Sequence, residues 1–133
     1  MINSRLFLIT ALLLGATASS ANAKPAPWPK LGVEAQINFP NFGAINNFEA
    51  DGDRGIWFED RNRRWYYAEL FGTCHGLNFA QVIGFDTRGS ASFDKFSSII
   101  VDGQDCKLAT LVTAEKPLSR KERKKLAKAA KSL

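Results

Sequence analysis

The sequence is poor in metal-binding residue types and in long apolar runs. Its 133 residues include two cysteines and one histidine, whereas a structural zinc site uses about four ligands at characteristic spacings. We therefore expect no metal site and no cofactor. The longest apolar run, residues 6–16, covers about eleven positions, and a helix that crosses a bilayer needs roughly twenty. That run is too short to span a membrane.

Residues 1–23 have the three parts of a secretory signal peptide. Arg5 supplies the positive charge near the start, residues 6–16 form the apolar centre, and Ala21-Asn22-Ala23 matches the small-x-small site that signal peptidase cleaves. An uncleaved anchor is the alternative. A lipoprotein anchor has no attachment point, because no cysteine lies near residue 23. We expect an exported protein, periplasmic or secreted, that begins at Lys24 and has no transmembrane segment.

Cys74 and Cys106 are the only cysteines, and both lie in the part expected to be exported. Disulfides form in oxidising compartments, and two cysteines allow one intramolecular pairing. A nucleophilic Cys74 with His75 as its base is the alternative. Neighbouring side chains of an extended chain point to opposite faces, which keeps that imidazole from the sulfur. We therefore predict a Cys74–Cys106 disulfide, with His75 as a surface or hydrogen-bonding residue.

Positive charge is concentrated at one end of the chain. The formal net charge is +5, and residues 115–133 contain eight Lys and Arg against two Glu. Residues 24–114 are therefore slightly acidic on balance. Because the basic character belongs to a short tail, we expect no specific binding of nucleic acid.

The tail, residues 115–133, has the pattern of a short basic helix. Ser119 and Glu122 form a capping box, in which each side chain accepts a hydrogen bond from the other residue's backbone N–H. We expect a separable helical segment that contacts an anionic envelope surface, such as lipid head groups, or another polyanion. The side chains expected to make this contact are Arg120, Lys121, Arg123, Lys124, Lys125, Lys128 and Lys131.

Residues 40–114 have the pattern of a small β domain. Short β-rich runs alternate with turn residues, and no internal repeat occurs. Hairpin turns are predicted at residues 60–63 and at Asp102-Gly103, and a helical turn is expected within 74–80. The predicted strands are 43–50, 55–59, 64–71, 81–86, 96–101 and 106–112. The fold expected is all-β, an antiparallel sheet or partly open barrel of five to six strands with one disulfide and a C-terminal basic helix.

The segment between the signal peptide and the β domain, residues 24–39, differs from both. It has three prolines between Lys24 and Pro29, and proline cannot donate the backbone hydrogen bonds of a regular element. We expect a Pro-rich extended arm.

Residues 63–80, RRWYYAELFGTCHGLNFA, allow two interpretations. A strand over 64–71 has two largely apolar faces, so its aromatic side chains either build the core or line a groove. In the first interpretation, which we favour, replacing Trp65 or Phe71 with alanine costs about 3–5 kcal/mol, and Leu77 and Phe79 anchor the following loop. In the second, basic and aromatic side chains bind a sugar, a peptide or a lipid head group. The candidate ligand-facing residues are Arg63, Arg64, Trp65 and Tyr67.

Acidic residues cluster in the 49–60 region. Aspartate in turns usually caps the local backbone, and residues 51–55 depart from the pattern of a calcium-binding loop. We expect a non-enzymatic binding or structural module of the cell envelope, and we name no catalytic residue. An envelope hydrolase that uses these carboxylates is the alternative. The residues are Glu49, Asp51, Asp53, Glu59 and Asp60.

A set of motifs runs through the β-rich region. R-x-W-Y-x-A occurs at residues 63–68, C-x-G-L at 74–77, and a second cysteine at Cys106. Together these motifs resemble a family of small exported domains of unknown function from Gram-negative bacteria. The resemblance covers roughly residues 40–114 and leaves out the arm and the tail. It implies a signal peptide and a cysteine pair, and it transfers no catalytic residue.

Overall fold

This computed structural model describes residues 30–133 of the chain. The described residues contain eight β-strands, two 3-10 turns and one α-helix, joined by loops. The predicted signal peptide and the proline-rich start of the predicted arm lie outside the described residues. The 3-10 turns are Pro40–Phe42 and Leu77–Phe79, and the α-helix is α1 (Arg120–Lys131). The strands are β1 (Ile37–Asn38), β2 (Ile45–Asp51), β3 (Gly55–Asp60), β4 (Trp65–Leu70), β5 (Gly84–Asp86), β6 (Ser92–Phe93), β7 (Ser98–Val101) and β8 (Gln104–Ala114).

Six of these strands form one antiparallel sheet in the order β2-β3-β4-β8-β7-β5, and β1 pairs with β6 in a small second sheet. The large sheet is curled. Phe58 on β3 and Phe85 on β5 are four places apart in this order, which in a flat sheet would separate them by about 19 Å. Their ring centroids nevertheless lie 5.9 Å apart. This half-barrel, with its helix α1, confirms the predicted fold class.

Aromatic rings fill the inside of the curl. Phe93 stands edge-on to both Phe58 and Phe85, with centroid distances of 5.4 and 5.1 Å. Phe58 and Phe93 are fully buried. Because the three rings come from separate strands, the apolar surface they bury stabilises the curl itself. Aliphatic side chains complete this core: Ile56, Leu77, Ile99, Val101, Leu108 and Leu111.

Two aromatic residues that we expected in the core are exposed. Phe71 lies one residue beyond the end of β4 and is 73% exposed. The alternation that turns Tyr66, Ala68 and Leu70 into the core directs Phe71 to the opposite face. Phe79 is 79% exposed. It belongs to a 3-10 turn, whose successive side chains point to different sides, and Leu77 takes the inward position. The predictions for Phe71 and Phe79 are therefore wrong, whereas Leu77 is an anchor as predicted.

The predicted disulfide is present. Cys74 and Cys106 are bonded, with their Cα atoms 5.7 Å apart, and both are buried. The bond ties the loop after β4 to strand β8. The backbone N–H of Cys74 also donates to the carbonyl of Asp53 at 2.7 Å, so the loop is attached at two points. His75 is exposed.

Both predicted hairpin turns are confirmed. Oδ1 of Asp60 accepts hydrogen bonds from the backbone N–H groups of Asn62 at 2.8 Å and Arg64 at 3.0 Å. In the second turn, Asp102 and Gly103 both have positive φ, 48° and 79°. Two consecutive positive φ values define the type I′ turn, whose twist matches that of the flanking strands.

The described end of the predicted arm packs against the sheet. The N–H of Gly32 donates to the carbonyl of Thr113 at 2.7 Å, and the N–H of Ala35 donates to that of Leu111 at 2.9 Å. Thr113 and Leu111 lie in the second half of β8, beyond the part that pairs with β7. Ile37 then enters the core at 4% exposure and pairs with Phe93. The residues just after the prolines therefore cover a sheet edge.

Candidate functional site

A ladder of polar and aromatic side chains crosses the sheet face opposite the phenylalanine core, which we call the outer face. Trp57 lies directly opposite Glu49 on one neighbouring strand and opposite Tyr67 on the other. Residues paired in this way share one face of a sheet. The rings of Trp57 and Tyr67 are 5.0 Å apart and tilted by 51°. Both side chains are half-buried.

Arg123 of helix α1 reaches this ladder. Its Nη1 donates to Oε1 of Glu49 at 2.6 Å, and its guanidinium carbon lies 4.7 Å from the centroid of the Trp57 ring. Its Nη2 donates to the carbonyl of Ala50 at 3.4 Å. That carbonyl belongs to β2, an edge strand of the large sheet, so Arg123 satisfies a group that an edge leaves open. The helix is therefore attached to the β domain, whereas a fully separable tail would make no such contacts.

The local sequence sets where this arginine points. The Ser119 Oγ accepts from the N–H of Glu122 at 3.2 Å, and the Glu122 carboxylate accepts from the N–H of Ser119 at 2.9 Å. This predicted capping box is confirmed. Hydrogen bonding of the Glu122 carboxylate by the side chain and by the backbone N–H of Ser119 lowers the pKa of Glu122. The box fixes the first residue of α1, and hence which side chains face the sheet.

The helix is held by polar contacts and not by a packed apolar face. No residue of α1 is buried. A cleft of about 190 Å³ separates it from the domain, with Phe48, Leu77 and Ala80 on the domain side and Arg120 and Arg123 on the helix side. An isolated helix of this length is marginal in water, so the arginine contacts stabilise its attached state.

Replacing Arg123 with alanine should release the helix and leave the β domain folded. The variant loses a partly buried ion pair and a cation–π contact, together about 1–2 kcal/mol. Amide hydrogen exchange in α1 should therefore accelerate roughly 5- to 30-fold. The β8 amides should keep their protection.

Two control variants are compared with Arg123→Ala. Lys124→Ala changes an exposed neighbour and should leave exchange in α1 nearly unchanged. Arg123→Lys keeps the charge but loses the planar contact with Trp57, so its exchange should be intermediate. Faster exchange in β8 of the alanine variant would mean that the helix supports the whole fold.

Tyr67 is fixed in the ladder by its neighbours. Its ring lies over Gly55, where any larger residue would place a Cβ against the Tyr67 hydroxyl. The hydroxyl donates to Oδ2 of Asp51 at 2.9 Å. Burial raises the pKa of Tyr67, and the hydrogen bond to Asp51 raises it further, so the phenol stays protonated and acts as a donor. Beside it lies an open cleft of about 290 Å³, which Arg54 and Glu69 also line.

The four candidate ligand-facing residues do not form one accessible surface. The Arg63 side chain is 79% exposed at the hairpin turn, with Nε 4.0 Å from the Glu59 carboxylate. Arg64 and Tyr67 are half-buried, whereas Trp65 is 7% exposed. A ligand role for this set stays a prediction. The sequence pattern did not single out Trp57. A turn over 60–63 that pairs residue 59 with residue 64 would place Trp57 opposite Tyr66, whereas the structure pairs Glu59 with Trp65 and so places Trp57 opposite Tyr67.

Four of the five carboxylates of the 49–60 region have a side-chain or backbone partner, among them the Glu59 carboxylate, which lies near Arg63 as described above. Glu49 binds Arg123, and Asp51 accepts from Tyr67. Asp60 caps the first hairpin turn, as turn-capping aspartate is expected to do, and its Oδ2 also accepts from the Tyr66 hydroxyl at 3.0 Å. Within residues 30–133, no group of three or more His, Cys, Asp or Glu is placed to hold a metal ion.

The lysines of α1 lie on one exposed side of the helix. At 100° per residue, five of them fall within an arc of about 120°, and all five are exposed. The other two predicted surface-binding residues contact the domain: Arg123 as above, and Arg120, whose Nη2 donates to Oδ1 of Asn78 at 3.2 Å. We call the exposed set the lysine stripe. Its members are Lys121, Lys124, Lys125, Lys128 and Lys131.

Comparison with known proteins gives a family and no function. A protein-family model, described as a family of unknown function (DUF6491), matches residues 1–133. The match extends over the arm and the tail, which the motifs of the β domain left out. None of the curated proteins and none of the solved structures matches the chain. Within residues 30–133, no helix has the length and apolar character needed to cross a membrane.

Proposed function

We propose that this chain, which belongs to the family of unknown function DUF6491, is an exported, non-enzymatic binding module that contacts anionic surfaces of the cell envelope. The observation that carries the proposal is the lysine stripe on a helix attached to a disulfide-bonded domain. Export is inferred from the signal-peptide pattern of residues 1–23 and from the disulfide, which forms in oxidising compartments.

The attachment of the helix makes the stripe a better binding surface than a loose tail. Each lysine near an anionic surface contributes about 1 kcal/mol. A frayed tail would lose conformational entropy on binding, which offsets part of that gain. The contacts of Arg123 with Glu49 and Trp57 order the helix beforehand. Because exposed charges are screened beyond about 10 Å at 0.1 M salt, binding should weaken as salt is raised.

The filled interior of the half-barrel favours binding over catalysis. Phe58, Phe85 and Phe93 occupy the space that a substrate pocket inside the curl would need. Asp60 is used for turn capping, and Glu49 pairs with Arg123. The lysine stripe places five exposed charges of one sign on one side of α1, so we assign binding to it.

A triple variant of the stripe tests this function. Changing Lys121, Lys125 and Lys128 to glutamine should weaken binding to vesicles of phosphatidylglycerol and phosphatidylcholine about 100-fold at low salt, because three surface charges are lost. The thermal midpoint should change little, since all three side chains are exposed. Vesicle sedimentation and thermal unfolding measure the two effects.

The matched control removes the same charge from the β domain and its N-terminal edge. Lys30, Arg54 and Lys107 are exposed, and their replacement by glutamine should reduce vesicle binding far less than the stripe variant. Equal losses in the two variants would show that net charge alone drives binding. A stripe variant that binds as tightly as the native chain would refute the proposed function.

A further inference from the structure

Two strongly exposed apolar side chains lie on one loop beside helix α1. Phe79 is 79% exposed and Val82 is 82% exposed. The loop that carries them is anchored on both sides, since Leu77 is fully buried and Ile83 packs against the core. Single exposed apolar residues are ordinary on protein surfaces, but here the anchors hold two of them outward within four positions.

This loop is continuous with the lysine stripe. The hydrogen bond from Arg120 to Asn78, 3.2 Å long, places the first turn of α1 against the residue next to Phe79. Arg120, Lys124 and Lys131 then lie within about 40° of one another around the helix axis. A basic row of about 17 Å therefore begins at the apolar loop and runs along the helix.

We infer that the loop and the lysine stripe form one surface for an anionic lipid bilayer, in which Phe79 and Val82 enter the boundary between head groups and acyl chains. The inference rests on the proposed function and specifies its partner. A free polyanion offers negative charge but no apolar region for these two side chains. A bilayer interface offers both, and membrane-surface segments commonly combine lysines with exposed aromatic and aliphatic residues.

The test replaces the two apolar side chains in the full exported chain. Phe79→Ser with Val82→Ser should weaken binding to vesicles of phosphatidylglycerol and phosphatidylcholine about 10- to 100-fold, because partial burial of two apolar side chains is lost. Retention on heparin, a polyanion without hydrocarbon, should be unchanged. Phe79→Leu keeps an apolar side chain and should retain most of the vesicle binding.

A matched control changes an exposed apolar residue elsewhere. Phe96 is 69% exposed. It lies beyond the end of the β5–β7 pair where Asp86 meets Ser98, whereas the Phe79 and Val82 loop enters β5 at the other end, where Gly84 meets Ile100. Phe96→Ser should bind both vesicles and heparin as the native chain does. If it loses vesicle binding as strongly as the Phe79 and Val82 variant, insertion is not confined to this loop and the inference is wrong.

The outcomes separate the inference from the function on which it rests. If the Phe79 and Val82 variant binds vesicles like the native chain while the stripe variant does not, insertion is wrong and anionic binding stands. If the Phe79 and Val82 variant loses binding to vesicles and to heparin equally, the loop acts through the fold or through contact with a polyanion. The inference that the loop enters the bilayer is then also wrong. If the stripe variant keeps both interactions, the proposed function itself fails.

Discussion

Replacing Phe58 with alanine is expected to lower the free energy of unfolding by about 3–5 kcal/mol. The ring is fully buried and contacts Phe93 and Phe85, with centroids 5.4 and 5.9 Å away. Since Phe85 belongs to a strand at the far edge of the sheet, the lost contacts are those that hold the curl closed. The surrounding strands cannot collapse into the cavity without uncurling the sheet. Urea unfolding followed by circular dichroism measures the change.

Phe71→Ala provides the contrast within the same chain. Phe71 is 73% exposed, so its truncation should cost less than about 0.5 kcal/mol. Trp65, at 7% exposure, should behave like a core residue. If Phe71→Ala destabilised the protein as much as Phe58→Ala, the exposed position of this ring would be wrong. If Phe58→Ala cost under about 1 kcal/mol, the three-ring core would not be what closes the half-barrel.

Replacing Cys106 with serine is expected to cost about 2–5 kcal/mol, the range typical of a native disulfide in a small secreted domain. The bond closes a loop between residues 32 apart in sequence, which restricts the unfolded chain. The native state is also affected, because Cys74 and Leu77 hold the loop against the core. Loss of the bond should speed hydrogen exchange in residues 72–82 more than in β8.

Two measurements check the disulfide prediction independently. The native protein should resist alkylation until it is reduced, since Cys74 and Cys106 are bonded and buried. His75→Ala, which changes an exposed neighbour of Cys74, should leave stability nearly unchanged. Two thiols that react in the folded protein without a reductant would restore the interpretation of Cys74 as a nucleophile.

The sequence by itself determined the features that depend on neighbouring residues or on a single possible pairing. Asp102-Gly103 predicts its hairpin because its positive φ values are a local property. The capping box depends on Ser119 and Glu122, three residues apart. The disulfide was predictable because a chain with two cysteines has one intramolecular pairing. The all-β fold followed from short runs whose spacing reflects strand length.

The tertiary structure alone decided which side chains those elements bury and what they contact. Phe71 and Phe79 are as apolar as core residues, but Phe71 continues the outward-facing side of β4 and a 3-10 turn directs Phe79 outward. Arg123 is one of many basic residues in the tail, and only the order and curl of the sheet place Glu49, 74 positions earlier, against it. Such contacts depend on strand order and element ends, because local patterns carry no information about which distant surfaces meet.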